Sequence, residues 1–102
     1  MKRGEVRWAE HPDWARRPAL VLTRDEAIDR LSEIFVVLAT TTMRGLPTEV
    51  ELGPEDGMPR TCVLNADHTA TIGKGHLGKS ITTLGPEKLA EVCRALDRAT
   101  GC

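Results

Sequence analysis

Three features of the sequence predict a mainly β fold with α: a small barrel or strongly curled sheet of about six short strands, with one C-terminal helix packed on it. As far as Leu84 the apolar residues come in short runs or in alternation, broken by Gly, Pro and Asp. Beyond Gly85 the apolar period changes to three and four residues. The chain has 102 residues, enough for one modest core, so residues 1–102 are expected to be a single domain.

The elements follow in order. "GEVRWAE" alternates Val6 and Trp8 with charged neighbours, as a first strand does. "HPDWARRP" carries two prolines and an Asp, and reads as a short loop ending in Arg16 and Arg17. "PALVLT" is a second apolar strand, and "RDEAIDRLSE" a short helical turn with Ile28 and Leu31 facing inward. "EIFVVLATTT" is unbroken apolar sequence from Ile34 to Ala39, which predicts a central strand buried on both faces. It delivers Thr40, Thr41 and Thr42 to its end, where hydroxyls are well placed for more than packing, although Thr is also simply a good strand residue.

"TEVELG" sets Thr48, Val50 and Leu52 on one face and Glu49 and Glu51 on the other, a half-exposed strand. "GPEDGMPR" is a turn-rich connection, "TCVLNADHTATI" one strand or a bent pair, and the glycines of "GKGHLGK" interrupt before "SITTL". Pro86 then opens a helix over residues 86–99, with Leu89, Val92, Cys93 and Leu96 on one stripe and Gly101 as its stop.

Three aromatics, Trp8, Trp14 and Phe35, leave the core aliphatic and lean, which favours a homodimer. Three cysteines without a CxxC pair fit a reducing compartment. "MKRGEVRW" leads into no apolar leader, and the apolar runs are too short for a bilayer, so the expectation is a cytoplasmic protein with no membrane partner.

The net charge is −1, but bases outnumber acids from Met1 to Arg24, and residues 68–84 hold Lys74 and Lys79 with no acid. If these segments meet, they form a basic face on a neutral protein. Scattered solvated charges are the alternative.

Motifs for common chemistries are missing: there is no Walker loop, HExxH or nucleophile elbow. His11, His68, His76 and the cysteines have no metal-ligand spacing, which disfavours a metal enzyme. Arginine and hydroxyl remain. Arg17 stands just before Pro18, where a loop becomes rigid sheet, and its planar donors match two phosphate oxygens at once. A surface arginine leaning on Trp14 is the plainer reading.

The series "KRGEVRW", "RPALVLTRDE", "VVLATTTMRGLPTEVEL", "CVLNAD", "LGKSIT" and "LAEVCRAL" resembles the MazF/PemK family of bacterial toxin ribonucleases. No single piece is specific; the order and spacing of all six are. The resemblance implies an SH3-like barrel (MazF/CcdB-like) with a C-terminal helix, a homodimer, and cleavage of single-stranded RNA without metal or cofactor. It also implies a cognate MazE-like antitoxin. By the same match Arg17 and Thr40 are the catalytic pair, and Trp14, Arg16, Thr41, Arg44, Asp67, His68, Lys74 and Lys79 are expected to contact RNA. Loops 10–17, 42–47 and 73–79 would set specificity.

Attack of a ribose 2′-OH on its neighbouring phosphate would give 2′,3′-cyclic phosphate and 5′-OH ends, with Arg17 stabilising the phosphorane and Thr40 donating a hydrogen bond. Arginine is a poor general base at neutral pH, which leaves the base unassigned.

Two departures from the family stand out. The loop "AEHPDWARRP" is short, leaving His11 for proton transfer and Trp14 for base stacking as substitutes. "NADHTATI" places His68 and Ala70 where longer polar side chains are usual; His68 is read either as an acid or base or as a half-exposed strand histidine. Two alternatives stay open. One is a non-catalytic or protein-targeting toxin, such as a CcdB-like gyrase poison; the other is a nuclease for tRNA or rRNA that reads shape.

Overall fold

The computed structural model describes residues 1–102. Its strands are β1 (Glu5–Ala9), β2 (Arg17–Val21), β3 (Glu33–Thr40), β4 (Glu49–Leu52), β5 (Cys62–Gly73) and β6 (Leu77–Thr83). The helices are a short α1 (Asp25–Ile28) and the terminal α2 (Pro86–Thr100), with single 3-10 turns at Pro54–Asp56 and Lys74–His76. Every strand pairing is antiparallel, in the order β4-β5-β3-β2-β1-β6.

The sheet curls but does not close, because its edges β4 and β6 do not pair with each other. Instead α2 packs on β4 and β5 and covers that side of the core. The expected barrel is therefore realised as an open, curled sheet with a helical lid.

Successive side chains of a strand point to opposite faces, and β3 shows both faces filled. Val37 and Ala39 join a cluster of 13 buried residues with Leu20, Leu52, Leu64 and Val92, whereas Ile34, Val36 and Leu38 join a second cluster of 9 with Val21, Ile72 and Leu77. Each fully buried aliphatic contributes about 1.5–3 kcal/mol, which is how an almost aromatic-free chain sustains a core.

The long strand is single and bent. Its pairing with β3 runs Val37↔Thr69 and then Ala39↔Leu64, so Leu38 alone spans residues 65–68, and a bulge at that point bends β5.

Two apolar assignments change. Ile28 is buried but Leu31 is 44% exposed, because α1 ends at Ile28 and Leu31 lies in the loop beyond it. On α2 the deeply buried positions are Val92 and Ala95, with Leu89 and Leu96 half-buried, while Cys93 is exposed. A stripe at three- and four-residue spacing can run through either Cys93 or Ala95, and the packing of α2 on β4 and β5 turns Ala95 inward and leaves Cys93 outside.

The two basic segments do meet, through the β1–β6 ladder, but they do not form an unbroken positive face. Arg7 pairs with Glu5, Arg16 with Glu10 and Arg24 with Glu26, so acids within the first segment or just beyond it neutralise much of it. No helix is long and apolar enough to cross a membrane.

Candidate active site

At one end of the sheet, where β1 and β3 finish and β2 begins, lies a cleft of about 330 Å³. Arg16, Arg17, Thr40 and Thr41 line it, together with Trp8, Ala15, Pro18, Ala39 and the segment Met58–Arg60 with Cys62. Three arginines line this space, Arg16 paired with Glu10 but Arg17 and Arg60 with no acid, and no Asp, Glu or His lines it, in a protein of net charge −1. Field lines from like charges in a concave, partly apolar wall add up, so the cleft favours an anion.

Strand register brings Arg17 and Thr40 together. The β2–β3 ladder pairs Val21↔Val36, Leu20↔Val37 and Ala19↔Leu38; the same register continued two residues past that last pair aligns Arg17 with Thr40, and both side chains line the cleft. Residues directly opposite in an antiparallel pair share a face. Arg17 is half-buried and its Nε donates to the Ala39 carbonyl at 3.0 Å, which leaves both terminal nitrogens of the fork unassigned. Thr40 Oγ1 accepts from the Thr42 backbone N–H at 3.2 Å; its hydroxyl proton is free to be donated. The run of three threonines thus ends the central strand at the cleft with one side chain opposite an oriented guanidinium.

Arg16, not Arg17, carries the aromatic contact. Its guanidinium lies 4.1 Å over the Trp8 ring and its Nε donates to Glu10 at 3.0 Å. Trp8 and Arg60 are the cleft residues that sequence reading missed. Trp8 reads as an ordinary alternating strand residue, and Arg60 stands alone in an acidic, turn-rich stretch; the usable signal is that it shortly precedes β5, the neighbour of β3.

The remaining expected site residues lie elsewhere. Trp14 is half-buried against the second core cluster, and its ring stacks on His11 with centroids 4.6 Å apart. The short loop packs Trp14 against the second core cluster, and neither Trp14 nor His11 lines the cleft. His11 Nδ1 accepts from the Asp13 backbone N–H at 3.1 Å, and His76 Nδ1 bonds the Glu10 carbonyl at 2.9 Å, which fastens this loop to the Lys74–His76 turn.

Asp67 accepts from Thr48 Oγ1 at 2.7 Å and His68 is exposed beside it, both on the β5 bulge and outside the cleft. Lys74 is on a turn whose backbone donates to Ser32, at the end of β3 opposite Thr40. Lys79 is exposed on the edge strand β6. Arg44 is exposed in loop 41–48, which is shaped by Glu49 accepting from the Arg44 and Leu46 backbone N–H groups.

Burial pushes the Cys62 thiol up, nearby Arg60 pulls it down and Asp56 pushes it up again, leaving it above the ordinary thiol range. It is therefore a protonated wall residue at neutral pH, not a nucleophile. No three His, Cys, Asp or Glu side chains gather in a way that could hold a metal ion. The cleft can thus clamp a phosphate and stabilise negative charge growing on it, with a hydroxyl donor alongside.

Comparison with known proteins agrees with this chemistry. Residues 2–100 match the family described as "PemK-like, MazF-like toxin of type II toxin-antitoxin system". The chain is 43% identical to "Probable endoribonuclease MazF2" of Mycobacterium tuberculosis, over 100% of both chains. It is 40% identical to "Probable endoribonuclease MazF5" of the same organism, over 98% of this chain and 93% of the other. Among solved structures, an "Endoribonuclease in complex with its cognate antitoxin from Mycobacterial species" superposes with a TM-score of 0.89 at 30% identity, covering 99% of this chain and 95% of that one.

Proposed function

The chain belongs to the PemK-like, MazF-like toxins of type II toxin-antitoxin systems, and from that premise we propose that it is an endoribonuclease that cuts single-stranded RNA with Arg17 and Thr40 and without a metal. The observation that supports this reading is the cleft that Arg17 and Thr40 line together with two further arginines and no acid, in keeping with the β2–β3 register continued two residues beyond its last pair.

The scissile phosphate sits between the two side chains. The adjacent ribose 2′-oxygen attacks phosphorus, the bond to the 5′-oxygen breaks, and the products carry a 2′,3′-cyclic phosphate and a 5′-OH. Arg17, held by the Ala39 carbonyl, presents its terminal nitrogens to the non-bridging oxygens as their charge grows, and Thr40 adds a hydroxyl donor. With no Asp, Glu or His in the lining, the contribution of the chain is electrostatic and positional: water takes the 2′-OH proton and water protonates the departing 5′-oxygen.

The reading extends to a homodimer in the cytoplasm, held in check by a MazE-like antitoxin across the RNA cleft, with mRNA, tRNA or rRNA as substrate. Support for the antitoxin comes from the toxin-antitoxin family description and the solved relative bound to its cognate antitoxin. The gyrase-poison alternative is not favoured, because the relatives at 43% and 40% identity bear endoribonuclease names.

The test is a map of new RNA 5′ ends made in EDTA with the intact protein, Arg17→Ala and Thr40→Ala. Discrete 5′-hydroxyl ends that vanish in both variants are expected. Ends that persist in either variant would remove that residue from the catalytic pair.

A further inference from the structure

The connection between β4 and β5 is fixed far more firmly than a turn-rich stretch suggests. Gly57 adopts φ +92, and a Cβ on it would clash with Thr82 Oγ1. Thr82 Oγ1 donates to the Asp56 carbonyl at 2.9 Å, the Met58 N–H reaches the Gly53 carbonyl at 3.2 Å, and Met58 is 4% exposed in the main core. A segment tied at its turn and plugged into the core by Met58 then delivers Arg60, an exposed residue, to the cleft wall.

Arg60 has no ion-pair partner there. The nearby acid, Asp56, is instead engaged by Lys88 Nζ at 3.9 Å and by the Gly53 N–H at 3.0 Å. The place of Arg60 relative to Thr40 follows from topology. Strand β3 lies between β2 and β5, and Thr40 pairs with Val63 of β5. Arg17 therefore flanks Thr40 from one side, and Arg60, shortly before Val63, flanks it from the other. Two interstrand spacings, about 9.5 Å, separate the lines of β2 and β5, and Arg60 lies in the connection that leads into β5.

Resting on the endoribonuclease reading, we propose that Arg60 is a second phosphate-binding residue, which holds the backbone phosphate next to the scissile one and so fixes the path of the RNA across Thr40. An unpaired guanidinium on a firmly tied backbone suits such a contact, because no existing ion pair has to break and its planar fork matches two phosphate oxygens. Being off the reacting phosphate, it acts on substrate binding more than on the chemical step.

The experiment measures cleavage kinetics of a short single-stranded RNA carrying a mapped cut site. In parallel, the same RNA with a 2′-deoxy residue at the scissile position is used to measure affinity as a function of KCl. Wild type, Arg60→Ala, Arg60→Gln and Arg60→Lys are compared. Loss of one phosphate contact should raise KM roughly tenfold in both neutral variants while kcat falls less than about threefold. It should also flatten the slope of log affinity against log salt by about 0.7, the single-strand value per phosphate, and Arg60→Lys should restore that slope.

An unchanged KM and slope would overturn the proposal and leave Arg60 a solvated surface arginine. A fall in kcat of about a hundredfold with an unchanged KM would overturn it too, by placing Arg60 on the charge that develops at the scissile phosphate. Wild-type protein that neither cuts nor binds the RNA would sink the underlying endoribonuclease reading itself, an outcome distinct from both.

Discussion

Arg17→Lys tests the proposed chemistry more sharply than removal of the side chain, because it keeps the charge and changes only its shape. Arg17 spends its Nε–H on the Ala39 carbonyl and keeps two terminal nitrogens for phosphate oxygens. A lysine has one nitrogen, which can serve the carbonyl or the phosphate but cannot present a fork to the latter. At least one donor aimed at the developing charge is lost, and such a donor is worth about 2.7–4 kcal/mol in the transition state.

The expected result is therefore a fall in kcat of about 10²–10³-fold. The folding cost should stay near about 1 kcal/mol, because the lost Ala39 bond belongs to a half-exposed side chain. Single-turnover cleavage of an RNA with a mapped site measures the first quantity, and urea denaturation the second. A lysine variant within about fivefold of wild type in kcat would refute the reasoning, since a point charge would then suffice and the oriented fork would be irrelevant.

Other outcomes can be checked independently. Gly57→Ala combines a left-handed backbone strain of about 1–2 kcal/mol with a clash against Thr82, so its melting temperature should fall by at least about 8 °C; an unchanged melting curve would mean that the turn is not held as described. For Glu5, burial pushes the carboxyl up, but hydrogen bonds from Ser80 and Arg7, the Arg7 charge and the Lys2 N–H outweigh it and leave it below the ordinary carboxylate range. That depression stabilises the fold above the ordinary value and is lost as pH falls through the lowered one. Glu5→Gln should thus be the less stable protein in urea at pH 7, with the gap closing under acid; a constant gap would show that the charge plays no part. Alkylation at pH 8 should label exposed Cys93 and Cys102 well before Cys62, whose thiol is buried and shifted upward, and rapid labelling of Cys62 would mean that the cleft wall is open.

The sequence was most legible where a physical rule has one solution. The uninterrupted run Ile34–Ala39 reads as a strand covered on both faces, which holds for all of it but the exposed Phe35, and that strand places Thr40. Arg17 was legible for a similar reason, since Pro18 fixes the point at which loop becomes sheet. What escaped depends on contacts remote in sequence. Trp14 looked free for stacking because nothing in "HPDWARRP" reveals that His11 and the second core cluster occupy it. Cys93 and Ala95 fit the helical period equally well until the sheet chooses between them. Arg60 was hidden because its position is set by a turn anchored on Thr82, a residue on a different strand. The open edge between β4 and β6 likewise depends on where α2 settles, which no local pattern encodes.

The dependence of the proposed pair on β2–β3 register has a consequence for a cell that makes such a protein. A slip of one residue would turn Thr40 to the opposite face from Arg17 while costing neither residue. Nascent, misfolded or partly unravelled copies would then be harmless, however many accumulate. Harm is confined to finished molecules, the population that offers an assembled surface for a neutralising partner to recognise. Danger and recognisability would arise in the same folding event.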